Sequence, residues 1–378
     1  MTAPLQGFRI LDLTAVLMGP FCTHFLAEQG ADVIKIEAPE GDITRHLGRA
    51  PEPAMSPVFQ HVNRNKRSVV LDLKAKDDLA VLHGLLKDAD AVVFNIRPEA
   101  MARLGLGYEA VRAINPRIVY CAFTGFGSGG AYAGRPAYDD LIQGLSGVAD
   151  LNLRAGAGAR YAPMALADRV VGLYGLSALV MALLARERSG EGCALEIPMF
   201  ESMAHFVMVE HMFLKSFVPA LGESGATRTL DRNRRPFKTA DGYLCMLGYS
   251  DRHWARIFHV IERTELMQDP RFASPGLRLE NIEPLNAALA EGLLAKTTAQ
   301  WLEIFEREDV PAAPMNSIED MFDDPHLRDV GFFREVDEFD RHKFIHMRHP
   351  IRWSNWESDL PDRTARLGEH TGEASWRP

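Results

Sequence analysis

Phe8-Arg-Ile-Leu-Asp-Leu-Thr14-Ala-Val-Leu-Met-Gly19-Pro20-Phe-Cys-Thr-His-Phe25-Leu26-Ala-Glu-Gln-Gly30-Ala-Asp32-Val-Ile-Lys-Ile-Glu37 reads as strand, helix, strand. Phe8 to Thr14 has the length and apolar run of a buried strand. Gly19-Pro20 opens a helix, because proline is preorganised for the first turn and lacks only an N–H that has no partner there. Phe21, Phe25 and Leu26 give the helix an apolar face, and Gly30 stops it. Asp32 to Glu37 is the second strand. A strand–helix–strand at this spacing is a βαβ unit, which requires parallel pairing and a right-handed crossover.

The alternation continues. Asn63-Arg-Asn-Lys-Arg67 is a basic loop before the strand Ser68-Val-Val-Leu-Asp-Leu73. A helix over 77–88, a strand Ala91-Val-Val-Phe-Asn95, a helix from Pro98 and a strand Arg117 to Phe123 follow. The pattern predicts an α/β fold with a Rossmann-like, doubly wound parallel sheet. Ligands of such sheets sit beyond the carboxyl ends of the strands. Here those ends are Thr14–Gly19, Glu37–Asp42, Asn95–Pro98 and Thr124–Gly130. No G-x-G-x-x-G follows the first strand, and Gly125-Phe-Gly127-Ser-Gly-Gly130 follows a late one and reads as a loop, which argues against a nucleotide-dependent dehydrogenase.

A long helix runs to about Arg188 and ends at Ser189-Gly190; Ala194 to Ile197 is a strand. The Met- and Phe-rich helix Met199 to Phe217 reads as core or subunit interface. The expected division is a large domain over 1–217, an arginine-bearing linker over 218–240, a smaller α+β domain over 241–325, and a return to the large domain over 326–378.

With 378 residues, 47% hydrophobic and 25% charged, the chain has the composition of a soluble globular protein. A net charge of -9 argues against non-specific nucleic-acid binding. Cys22, Cys121, Cys193 and Cys245 are far apart and form no CxxC, so neither a zinc site nor a disulfide framework is expected. No signal-peptide pattern opens the chain and no apolar run reaches the ~18 residues of a span, so a cytoplasmic setting without membrane is expected.

Chemistry centres on Pro163-Met-Ala-Leu-Ala-Asp168-Arg-Val-Val-Gly172-Leu-Tyr-Gly175. Asp168 heads a run that stays apolar through Leu184. An unpaired carboxylate is costly to bury, yet a helix N-terminus favours it. Asp168 reads either as an N-cap or as a presented reactive group. There is no G-x-S-x-G. His342, His346 and His349 cluster, but strand alternation turns His346 away from the others, and no metal site is expected. Arg64, Lys66, Arg67, Arg97 and Arg103 lie at predicted sheet-end loops or helix starts and read as a phosphate-binding group or as solvated charge. Arg232, Arg234 and Arg235 carry the same two readings.

Several segments together resemble the class III CoA-transferases, the group containing formyl-CoA transferase and carnitine CoA-transferase. They are Val33-Ile-Lys-Ile-Glu37 with Gly41-Asp42, Asn63-Arg-Asn-Lys-Arg-Ser68, Leu71-Asp-Leu-Lys74, Asn95-Ile-Arg-Pro98, Arg103-Leu-Gly-Leu-Gly-Tyr108, Gly125-Phe-Gly127, Ala167-Asp168 and Gly368-Glu-His-Thr371. The resemblance spans nearly the whole chain in order. It implies a large Rossmann-like domain and a small one, in an interlocked homodimer.

By that resemblance Asp168 is the catalytic nucleophile. It is acylated by an acyl-CoA, then carries CoA as a thioester, and passes it to an acceptor acid with no cofactor. Asp139 matches a supporting acid that tunes Asp168, or else caps its own helix. The CoA pocket carries over to Leu17, Met18, Leu71, Asp72, Leu73, Lys74, Asn95, Ile96, Arg97, Arg103, Arg135 and Tyr138. Leu17 stands where formyl-CoA transferase has a glutamine, against a formate or oxalate substrate; Ala38 stands where that enzyme has a basic pocket residue, and Leu247-Gly-Tyr249 has only one glycine of its glycine-rich loop. Arg232, Arg234, Arg235 and Arg252 make a dicarboxylate such as succinate the expected class. Two alternatives stay open. One is an α-methylacyl-CoA racemase, whose catalytic histidine is replaced here by Tyr138, a poor base at neutral pH. The other is a non-catalytic CoA-binding protein in which Asp168 is only a cap.

Overall fold

The computed structural model describes residues 2–338, 342–358, 360 and 362–377, the side chains of Glu338 and His342 lying outside this description. The first of two units comprises Met1–Ser146, Ala162–Phe206 and His326–Pro378. Its centre is a six-stranded sheet, β1 (Arg9–Leu13), β2 (Asp32–Glu37), β3 (Arg67–Val70), β4 (Ala91–Phe94), β5 (Val119–Thr124) and β6 (Cys193–Pro198). The spatial order is β3-β2-β1-β4-β5-β6 with every neighbour parallel. The direction of winding reverses between β1 and β4, the place where open α/β sheets leave a ligand crevice. Helices α1 (Met18–Glu28), α2 (Pro57–Asn63), α3 (Lys76–Lys87), α4 (Pro98–Arg103), α5 (Tyr108–Ile114), α6 (Asp139–Leu145), α8 (Leu166–Ser189) and the start of α9 (Met199–His211) accompany the strands. β1 and β4 are apolar runs because both of their faces are covered.

The central strand still carries a charge. Asp12 is fully buried, accepting hydrogen bonds from the Thr14 and Thr23 hydroxyls and pairing with Lys66 Nζ at 2.9 Å. Burial pushes its carboxyl up, but Lys66, Lys35 and the two threonines outweigh this and hold it at about 2. A second buried pair joins β2 to the loop that follows it: Glu37 accepts Arg45 Nε and Nη2, both at 2.7 Å, and the guanidinium stacks on Phe59. Ser68 Oγ donates to the same Glu37 carboxylate and accepts the Gly368 N–H, so the closing Gly368-Glu-His-Thr371 is tied along β3. His370 N–H to Ser68 O and Val70 N–H to Thr371 Oγ1 complete that seam, which covers an edge strand that would otherwise be unpaired. Arg45→Ala leaves the Glu37 carboxylate buried without its cation. We expect a loss of about 3–5 kcal/mol, read by denaturant unfolding.

An antiparallel pair of β10 (Phe333–Glu338) and β11 (His342–Met347) also belongs to this unit. His346 is buried beside Arg64, and His349 packs edge-on to Phe25. Among the described residues no three His, Cys, Asp or Glu side chains gather as metal ligands.

The second unit comprises Gly147–Tyr161 and Val207–Pro325, so 147–161 and 207–240, expected in the large domain and linker, fall within it. It contains α7 (Val148–Arg154), α10 (Thr227–Leu230), α11 (Asp251–Val260), α12 (Pro275–Glu280), α13 (Ile282–Gly292), α14 (Thr298–Arg307) and a three-stranded antiparallel sheet of β7 (Phe237–Lys238), β8 (Tyr243–Met246) and β9 (Ala312–Pro314). Its own core is built on Leu244, Ile257, Leu285, Trp301 and Phe305.

Helix α8 is, by length and composition, apolar enough to cross a membrane. A core helix of a folded domain passes the same test. In the fold α8 packs on α1, α6, β5 and β6, with Val171, Gly175, Leu179 and Leu183 buried, as a core helix does.

Candidate active site

Asp168 is the third residue of α8. Ala165 is the N-cap residue and no side chain makes the cap bond there, so Asp168 is not an N-cap. Asp139, the first residue of α6, accepts the Asp168 N–H through Oδ1 at 3.0 Å. It therefore serves the start of α8, 29 residues away, rather than its own helix. Its Oδ2 accepts Gln143 Nε2 at 2.6 Å. Gln143, fully buried, also donates to Met164 O and accepts the Ala162 N–H, fixing the segment that leads into α8. The sequence reading missed Gln143, whose signal is its place four residues after Asp139 on the same helix.

The Asp168 carboxylate itself is half-buried and, among the described residues, accepts no hydrogen bond. Burial raises its pKa to about 7, repulsion from Asp139 adds to this, and Arg169 opposes it. A displaced carboxylate with no partner, beside a second carboxylate, is the arrangement found where acid–base or nucleophilic work is done.

Two glycines set where α8 lies. A Cβ on Gly172 would stand 2.8 Å from Met18 O, and one on Gly175 would stand 2.2 Å from Phe123 Cζ. The helix is thus seated directly on the start of α1 and on β5. Asp168 precedes Gly172 by four residues and shares its face, so the carboxylate is on the side of α8 that meets Met18 and Phe21.

The loop before α1 is held rigidly. Val16 has φ of +73°, a conformation that a β-branched residue adopts only under restraint. Asp42 supplies the restraint, accepting the Val16 N–H at 3.2 Å while pairing with Lys35 Nζ at 3.0 Å. Asn95 clamps the neighbouring residue, its Oδ1 taking the Ala15 N–H and its Nδ2 donating to Ala15 O.

At the winding reversal lies a crevice of about 390 Å³. Leu71, Asp72, Leu73, Lys74, Asn95 and Ile96 all line it, so six of the predicted CoA residues come together there. Leu71 to Lys74 are no longer strand: β3 stops at Val70, and a turn closed by Asp72 makes the wall. Arg97 and Arg103 bracket α4 at the crevice edge, exposed and without an ion pair among the described residues. Leu17 and Met18 stand at the start of α1 instead of lining the crevice. Arg135 lies exposed over the Tyr132 ring, and Tyr138, 70% exposed, precedes Asp139.

Three basic residues read as phosphate holders are internal. Arg64 pairs with Glu28, Lys66 with Asp12 and Arg67 with Asp32, the three basic side chains being buried. Their charges are spent on holding α1, β1 and β2.

The rate of any reaction that uses the Asp168 carboxylate should fall about tenfold per pH unit below about 7, since only the ionised form attacks. Asp139→Asn keeps an oxygen for the Asp168 N–H but removes the like charge. The acid limb of kcat/KM should then move to lower pH, with activity at pH 6 several-fold above that of the parent. Loss of the Gln143 contact should lower stability by about 1 kcal/mol. A limb that stays in place would show that Asp139 acts only as a cap.

The sequence signature described as CoA-transferase family III matches residues 5–371. Succinate–glutarate CoA-transferase of Agrobacterium fabrum is 32% identical over 381 residues, covering 98% of this chain and 94% of that protein. Succinyl-CoA:mesaconate CoA-transferase of Haloarcula marismortui is 33% identical over 349 residues, covering 88% of this chain and 86% of its own length. Among solved structures, a CAIB/BAIF family protein from Brucella suis superposes with a TM-score of 0.83 at 30% identity, covering 98% of both chains.

Proposed function

The chain belongs to CoA-transferase family III, and from that premise we propose that it moves CoA from a dicarboxylyl-CoA thioester to a free carboxylic acid, with Asp168 as the nucleophile. The observation that carries this is the unbonded Asp168 carboxylate, half-buried with a pKa near 7 and held by Asp139 through its backbone. Capping does not account for it, because its side chain makes no cap bond.

The ionised Asp168 attacks the thioester carbonyl. The C–S bond breaks, CoA leaves as the thiolate, and Asp168 is left as a mixed anhydride. The thiolate attacks the aspartyl carbonyl, releasing the donor acid and leaving an aspartyl-CoA thioester. The acceptor carboxylate attacks that thioester and the two steps run in reverse. Each bond broken is matched by one of similar energy, so the exchange needs no cofactor, and covalent catalysis divides it into easier steps. The β1–β4 crevice holds CoA along Leu71–Lys74 and Asn95–Ile96, with Arg97 and Arg103 toward its phosphates. Succinate, glutarate and mesaconate, named for the relatives, support the dicarboxylate class. Tyr138 in the place of a histidine base argues against α-proton exchange.

The working form is an interlocked homodimer in the cytoplasm. Leu173, Val180, Met181 and Leu184 of α8, with Phe206 of α9, are exposed apolar side chains that a second copy would cover.

A matrix of acyl-CoA donors against free acids, read by mass spectrometry, tests the reading. Transfer to at least one diacid and hydroxylamine trapping at Asp168 are expected. Exchange of α-deuterium with CoA retained on one acyl chain would replace it with the racemase.

A further inference from the structure

The β1–β4 crevice lies beyond the carboxyl ends of the strands. A second cavity, of about 180 Å³, lies in the same unit at their amino ends and shares no lining residue with it. Glu28 and Gln29, which lead from α1 toward β2, and Arg64 and Asn65, which lead from α2 toward β3, form one wall. Arg334 of β10 and Arg348, His349, Arg352 and Trp353, which follow β11, form the other. The walls are fastened to each other. Trp353 Nε1 donates to Gln29 Oε1 at 2.7 Å, and Arg64 Nη2 donates to Met347 O at 2.6 Å.

Three side chains on these walls carry a buried polar atom with no hydrogen-bond partner among the described residues: Arg64 Nε, His349 Nε2 and Asn65 Oδ1. A buried donor left without an acceptor costs about 1–3 kcal/mol, so such atoms point to a missing partner. Arg64 is 3% exposed, and its other nitrogens are committed, Nη2 to Glu28 and Met347 O and Nη1 toward His346. Its Nε stands 3.6 Å from Asp362 Oδ1, beyond hydrogen-bond length. His349 accepts the Ile351 N–H on Nδ1 at 3.2 Å, so its neutral ring carries the proton on Nε2. Both orphan nitrogens are therefore donors. The balance of charge has the same sense. The acids that line the cavity among the described residues, Glu28, Glu357 and Asp362, each face an arginine. Arg352 has no ion pair among the described residues and donates to Val330 O at 3.3 Å.

We propose that this cavity binds a tetrahedral oxyanion of the phosphate class, held by Arg64 Nε, His349 Nε2 and the Arg352 guanidinium. These donors come from two distant stretches of chain and line one space, which suits an ion with oxygens on several sides. Bonds from guanidinium to such oxygens are charge-assisted and about twice as strong as neutral ones. The volume equals that of about six waters at about 30 Å³ each, room for a phosphate with part of its hydration. Binding is independent of the Asp168 reaction.

Inorganic phosphate titrated into the full chain at constant ionic strength, with CoA saturating the crevice, provides the test. Calorimetry should show saturable binding with half-saturation at or below about 1 mM, and the unfolding temperature should rise over the same range of phosphate. Arg352→Ala should weaken binding about tenfold or more and should unfold with the parent when phosphate is absent, since Arg352 is exposed. His349→Phe keeps a ring against Phe25 but loses the donor, and should weaken binding about tenfold. Arg103→Ala, at the crevice edge, should leave phosphate affinity within about twofold. The proposal is overturned by absence of saturable binding, by parental affinity in Arg352→Ala, by phosphate binding that occurs only without CoA, which would place it in the crevice, or by succinate binding as tightly as phosphate.

Discussion

Asp168→Asn should lower turnover by at least about 10⁴-fold, leave CoA affinity within about twofold, and make the protein more stable above neutral pH. The first effect follows from removing the proposed nucleophile: deleting one member of a covalent machinery costs about 10⁴–10⁶ in kcat, or about 5–8 kcal/mol of barrier. The second follows from geometry, because Asp168 does not line the β1–β4 crevice. The third is linkage. The carboxyl titrates near 3.8 when unfolded and near 7 when folded, so the folded chain binds the proton more tightly. Below about pH 4 both states are protonated and no penalty exists. As pH rises toward 7 the unfolded state ionises freely while the folded state resists, and stability falls; above 7 the penalty is complete. Asparagine has no such penalty. A gain of about 2 kcal/mol at pH 8, roughly half of what the full displacement would give because water still reaches the group, should shrink to nothing at pH 4. Thermal unfolding at the two pH values, beside single-turnover assays, reads all three. A variant that keeps turnover, or that loses stability at pH 8, would remove Asp168 from the chemistry. Instability accepted at one side chain for the sake of reactivity is the usual relation between active sites and stability.

The parallel sheet was legible because strands buried on both faces show as unbroken apolar runs. Asp32–Glu37 matches β2 to the residue. The end of β3 was not, since Leu71-Asp-Leu-Lys74 keeps an apolar alternation while Asp72 turns the chain out of the sheet to form the crevice wall. The basic loop before β3 misled for a different reason. Arg64, Lys66 and Arg67 find their acids 36, 54 and 35 residues earlier in the chain, and no local pattern reports a partner at that separation. Asp139 was legible as an acid near Asp168 only through the family resemblance. Its bond is to the backbone of another helix and not the cap of its own that the sequence also allowed, while its charge adds to the raised pKa of Asp168. The restraint of Val16 by Asp42 and Lys35 left a trace in the sequence, Gly41-Asp42, without the geometry that explains it.

Gly172→Val should separate the two halves of the site. In a bare helix, replacing glycine gains stability, about 1 kcal/mol for alanine, and Gly84 of α3, with nothing within 4 Å of its would-be Cβ, should show that gain as Gly84→Ala. At Gly172 the same atom meets Met18 O at 2.8 Å and Phe21 Cδ1 at 3.1 Å. Met18 O belongs to the first turn of a helix and cannot swing aside, so α1 and α8 must part. Overpacking of this kind costs about 1–3 kcal/mol, which exceeds the helical gain. The larger effect falls on rate. Asp168 lies one turn before the contact, and a displacement near 1 Å in a reacting group lowers rate by about 10²-fold. The crevice walls at β3 and β4 are untouched, so CoA should bind as before while kcat falls. Gly172→Ala should show the same pattern in smaller measure. A valine variant with parental kcat and parental unfolding would mean that α8 can shift without consequence, and the close seat of α8 on α1 would then have no part in aiming the carboxylate.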